Sequence, residues 1–81
     1  MPIKRENILE NFKIGDLVIN VSDYDLGFHD LYTILKPKEM AVVIDVDLKR
    51  RGWIKLYTES GTIGWYLNYT GYLLLVSKGN S

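Results

Sequence analysis

The sequence predicts an all-β domain, a small barrel of five short strands with a long first loop, on three observations. Only one of the 81 residues is Ala, whereas Val, Ile and Thr number 6, 8 and 4 and aromatic residues make up 12%. Branched and aromatic side chains suit a pleated, half-buried surface, and an Ala-poor chain forms weak helices. Apolar residues alternate with polar ones over short runs punctuated by Gly, Asp, Asn and Ser, which is the two-residue period of strands. A chain of this length also has room for one thin core only, and pairing the first strand with the last removes the edges that a flat sheet exposes.

Along the chain, residues 1–13 form a short N-terminal flank, in which Asn7 is placed to cap one helical turn carrying Ile8, Leu9 and Phe12. The barrel spans 14–77. Gly15-Asp16 precedes a first strand over 17–21, with Leu17, Ile19 and Val21 expected on the inner face. Residues 22–38 hold Asp23, Tyr24, Asp25, Gly27, Phe28, His29 and Asp30 without a sustained period and read as a long structured loop, a splayed hairpin ending at Lys36-Pro37-Lys38. The second strand, 40–46, alternates clearly, and Met40, Val42, Ile44 and Val46 are expected to face the core. A basic hairpin tip, 48–52, leads to a third strand with Ile54 and Leu56 inward and Trp53, Lys55 and Tyr57 outward. Glu59-Ser60-Gly61 is a tight turn with glycine where positive φ is needed, followed by strand 62–67. A short irregular step at 68–71, wide enough for one 3₁₀ turn, precedes the last strand at 72–76, and 78–81 is a tail. An OB-type barrel usually carries a helix between its third and fourth strands; only Glu59 to Gly61 separates them here.

Gly52-Trp53-Ile54-Lys55-Leu56-Tyr57, Ser60-Gly61-Thr62-Ile63-Gly64-Trp65-Tyr66 and Asn68-Tyr69 together resemble the second half of SH3 and bacterial SH3-like domains. An aromatic residue opens the middle strand, a glycine-flanked aromatic hairpin follows, and a turn of the Ser-Asn-Tyr type precedes the last strand. Gly15-Asp16-Leu17-Val18 followed by the Val-Val-Ile-Asp strand is similar to small SH3-like proteins of tailed bacteriophages. The resemblance implies an SH3-like barrel. Asp23-Tyr24-Asp25 follows the Gly-Asp step rather than preceding it, and Leu67 stands where SH3 domains place a proline. The likeness therefore implies the fold rather than polyproline recognition.

Charge and composition exclude several functions. Ten basic and ten acidic side chains cancel, whereas nucleic-acid-binding domains usually carry a basic excess. With no cysteine there is neither disulfide framework nor thiolate chemistry. The start of the chain is interrupted by charges, and its longest later apolar run, 72–76, is far too short to span a bilayer, so a cytoplasmic protein, or a virion component if phage-encoded, is expected. The single histidine, His29, has no second His or Cys to complete a metal site, and no serine lies in a strand-to-helix elbow. An enzyme is not expected, nor is a metal or cofactor.

Two groups of residues remain as candidate interaction sites. Tyr24, Trp53, Tyr57, Trp65 and Tyr69, with Asp23 and Asp25, predict an aromatic face flanked by an acidic loop, since Trp and Tyr bury large areas at low entropic cost. The expected function is non-enzymatic docking or assembly, with another protein or with copies of the chain. The alternative is a nucleic-acid accessory protein, in which Lys49, Arg50, Arg51 and Lys55 contact phosphates while an aromatic stacks on a base. Asp45 and Asp47 beside the same tip lower its potential.

Overall fold

In a computed structural model of the protein, residues 12–68 and 71–79 are described. The expected turn at Asn7, the middle of the irregular step and Tyr69 lie outside these residues. Seven strands form, β1 (Leu17–Asn20), β2 (Leu26–Gly27), β3 (Ile34–Leu35), β4 (Met40–Val46), β5 (Trp53–Thr58), β6 (Ile63–Leu67) and β7 (Leu73–Ser77). Five of them make one antiparallel sheet in the order β6-β5-β4-β1-β7, and β2 pairs with β3 as a small hairpin inside the long loop. The first long strand does pair with the last, through Ile19 opposite Leu74 and Asn20 opposite Leu73. Among the described residues no ladder joins β6 to β7, so hydrogen bonding yields an open five-stranded sheet and does not close a barrel.

The inward faces of β1 and of the first half of β4 are the reverse of those expected, whereas Val46, past the bulge in β4, packs against the core as expected. Val18 and Asn20 are completely buried while Leu17 and Ile19 are half-buried and Val21 is exposed; in β4, Ala41 and Val43 are buried while Met40, Val42, Ile44 and Val46 are half-buried. Alternation shows which residues share a face but not which face is inward, and both faces of these strands are apolar. Cross-strand register decides it. Ile54 and Leu56 point inward as expected, and Leu56 stands opposite Val43 and Ile54 opposite Val46, with a bulge between Val43 and Asp45 that shifts the alternation along β4.

Much of the core comes from outside the main sheet. Leu26, Phe28 and Leu35 of the long loop are buried against Val18, Val43, Leu56 and Tyr66, so the loop acts as a second layer over one sheet face. Phe12 fills one end of this core beside Val46 and Ile54. Gly61 takes the expected positive φ, +89°, in the turn between β5 and β6.

Candidate aromatic groove

Asn20 explains how the loop is held. Its side chain is buried at the end of β1 and uses every hydrogen-bonding group it has. The amide nitrogen donates to the carbonyls of Tyr24, at 2.7 Å, and Leu35, at 3.0 Å. The amide oxygen accepts from the backbone N–H and the hydroxyl of Ser22. Both arms of the loop are thereby tied to one residue. Farther out, the Asp30 carboxylate accepts from the N–H groups of Tyr32 and Thr33, each at 2.8 Å, and from the Thr33 hydroxyl. These bonds hold the Asp30 carboxyl below its ordinary pKa, the Thr33 hydroxyl contributing most. Leu31 at the tip takes the left-handed conformation at φ 70°, a backbone cost that the Asp30 turn and the Leu31 N–H bond to the Phe28 carbonyl help to offset.

The loop tip is fastened to β6. The His29 N–H donates to the Trp65 carbonyl at 2.7 Å, and the Phe28 ring lies over Gly64, with the Tyr66 ring centroid 6.1 Å away. Between this tip, the first arm of the loop and the start of β5 runs an open groove of about 440 Å³, lined by Tyr24, Asp25, His29, Leu31, Trp53 and Tyr72 among others. The Tyr24 and Tyr72 rings are tilted by 35° with centroids 5.9 Å apart, and His29 and Trp53 meet edge to face at 5.5 Å. Asp23 and Asp25 are exposed on the arm that bears Tyr24.

The aromatic residues picked out in the sequence do not form one shelf. Tyr24 and Trp53 line the groove and Asp25 edges it. Tyr57 lies four residues beyond Trp53 along β5, in a separate hollow with Leu17, Met40 and Val42. Trp65 is half-buried opposite Lys55, whose ammonium stands 5.8 Å from the centre of its ring. His29 and Tyr72, which sequence reasoning did not assign to the aromatic face, complete the groove instead. Tyr72 beside Gly71, at the start of the last strand, was the available signal.

The basic tip is engaged by its acidic neighbours. Arg50 Nε donates to Asp47 Oδ2 at 2.9 Å and its guanidinium lies 5.4 Å from the centre of the Trp53 ring. Asp47 also accepts from the N–H groups of Lys49 and Arg50. The Arg50 side chain, followed by these backbone bonds, keeps the Asp47 carboxyl below its usual pKa. Lys49, Arg50 and Arg51 are themselves exposed, and Lys55 stands across from Asp45.

Among the described residues no three His, Asp or Glu side chains gather into a metal-holding group, and no helix is long and apolar enough to cross a membrane. His29 faces Trp53, and the Asp30 carboxylate beside it is engaged in its own turn. No protein-family model, curated protein or solved structure matches the chain.

Proposed function

We propose that the chain is a non-enzymatic docking module of SH3-like type that takes an extended segment of another protein into the groove between Tyr24, His29, Trp53 and Tyr72. One observation carries this reading: two aromatic pairs line an open channel edged by Asp25, with Asp23 exposed on the same arm of the loop. Flat aromatic walls suit an extended chain, because they offer apolar contact without demanding one particular side chain. The two carboxylates favour a basic residue beside the apolar ones. The strand order β6-β5-β4-β1-β7, with a long hairpin loop after the first strand, supports the SH3-like reading. The likeness of Gly15-Asp16-Leu17-Val18 to phage-encoded proteins supports an assembly role in a virion or an infected cell.

The rival reading, phosphate binding by Lys49, Arg50, Arg51 and Lys55, is disfavoured by the pairing of Arg50 with Asp47 and by the placement of Asp45 opposite Lys55. Selection from a library of linear peptides on the immobilised full chain tests the docking proposal. Peptides enriched on the wild type should share apolar residues next to Lys or Arg and should be lost on Tyr24→Ala and Trp53→Ala. Enrichment that survives both changes would place binding elsewhere and overturn the proposal.

A further inference from the structure

The side of the main sheet that faces away from the core is apolar across its width. Cross-strand register sets Ile63, Tyr57, Val42 and Leu17 in one row and Met40, Ile19 and Leu74 in the next. Tyr57, Ile63 and Leu74 are 49%, 52% and 55% exposed, and Leu17, Met40, Val42 and Tyr57 surround a shallow hollow of about 300 Å³. A sheet with one face on a core ordinarily turns polar residues to water on the other, and contiguous apolar patches of this kind mark contact surfaces. None of these seven residues overlaps the lining of the aromatic groove.

Charges at the border indicate what covers it. Going along the outward side of β5 and into the turn, the residues are Lys55, Tyr57 and Glu59, a cation and an anion on either side of an apolar centre, with Asp45 of β4 standing across from Lys55 at the same border. Glu59 is held at this border by its Oε1, which accepts the Met40 N–H at 2.8 Å. We propose that this face seats a second copy of the chain in a two-fold, face-to-face dimer centred near Tyr57 and Val42. A two-fold axis through Tyr57 turns Lys55 of each copy toward Glu59 of the other, so that both ends of the contact gain an opposite-charge pair while the centre has no charge to desolvate. Sheets stacked face to face lie about 10 Å apart, a gap that a lysine and a glutamate side chain can bridge together. Strand spacing gives the patch roughly 20 Å across the strands, and its two rows, two residues apart, give roughly 10 Å along them once side chains are included. That is roughly a quarter of the area of a standard interface per partner, which makes the dimer weak and reversible. Each dimer would display two aromatic grooves.

Sedimentation velocity on the full chain from about 1 µM to about 1 mM tests this, since a small interface belongs in that affinity range. The expected result is a rise from monomer to dimer mass, abolished by Ile63→Lys. Lys55→Glu and Glu59→Lys should each raise the dissociation constant by about tenfold, and the double exchange K55E/E59K should bring it back toward the wild-type value, with near-UV circular dichroism verifying the fold of each variant. Recovery in the double variant is something that damage to the monomer would not produce. A monomer over the whole range overturns the proposal, as does a dimer indifferent to these changes or one that the double exchange fails to restore.

Discussion

Gly64 of β6 lies flat beneath the buried ring of Phe28, so closely that a Cβ on residue 64 would stand 2.4 Å from Phe28 Cδ2. Phe28 is only 3% exposed and its backbone bonds Thr33, so the ring has little freedom to retreat. Gly64→Ala should cost about 1–3 kcal/mol, the range for overpacking a filled core. Urea unfolding measures it. Because the ring anchors the loop that carries His29, the same change should also weaken groove binding.

Asn20 is the polar counterpart of that contact. Asn20→Ala removes two donor bonds to the carbonyls of Tyr24 and Leu35 and takes away the oxygen that accepts from the Ser22 N–H and hydroxyl. The expected loss is about 1–3 kcal/mol, the range for removing a buried polar side chain from its hydrogen-bond partners. Amide hydrogen exchange should show faster opening at 22–35 than in β4 and β5.

Stability should fall in acid through carboxylates that include the two buried ones, Asp16 and Glu39. At Asp16, burial by itself raises the pKa, but N–H donation from Gly79 and Lys13 and the nearby Lys13 and Lys78 charges outweigh it, and the folded value is lowered. Glu39 behaves alike: burial opposes ionisation, yet the Ser60 hydroxyl, the N–H groups of Lys36 and Ser60 and the Lys36 charge prevail. A folded value below the unfolded one means that the stabilisation is present above the ordinary carboxylate range, about pH 4, and is lost as pH falls through the lower folded values. Melting temperatures should therefore drop below about pH 4, and Asp16→Asn and Glu39→Gln should start lower at neutral pH and show a shallower decline.

Groove variants separate the aromatic walls from the acidic rim. Trp53→Ala should weaken a selected peptide by tenfold or more, on the order of a 1.5–2 kcal/mol hot spot. Asp23→Asn with Asp25→Asn should lower affinity less and remove most of its salt dependence, since rim charges act chiefly on encounter. Isothermal titration at two ionic strengths distinguishes the two effects.

Strand positions were legible in the sequence wherever one face was apolar and the other polar, as at Ile54 and Leu56 of β5. In β1 and β4 both faces are apolar, and the pattern had no means to tell Val18, Ala41 and Val43 from Leu17, Met40 and Val42. The misassigned set is the row of residues that now forms the apolar outer face. A buried Asn20 could not be inferred either, because the Leu35 carbonyl that it ties to β1 lies 15 residues away along the chain. Tyr24, Trp53 and Asp25 are candidate interaction residues on chemistry alone. Their grouping with His29 and Tyr72, and the separation of Tyr57 from them, depend on how the loop folds back onto β6.

Chemical-shift mapping of the full chain, titrated with a selected peptide and in parallel with mixed-sequence single-stranded DNA, tests the docking account most directly. Saturable perturbation by the peptide at Tyr24, His29, Tyr72 and the Trp53 indole, with no saturable response to DNA, is the predicted result. Peptide-induced shifts that avoid the groove, or saturable DNA shifts at Lys49, Arg50 and Arg51 that vanish steeply with salt, would contradict it.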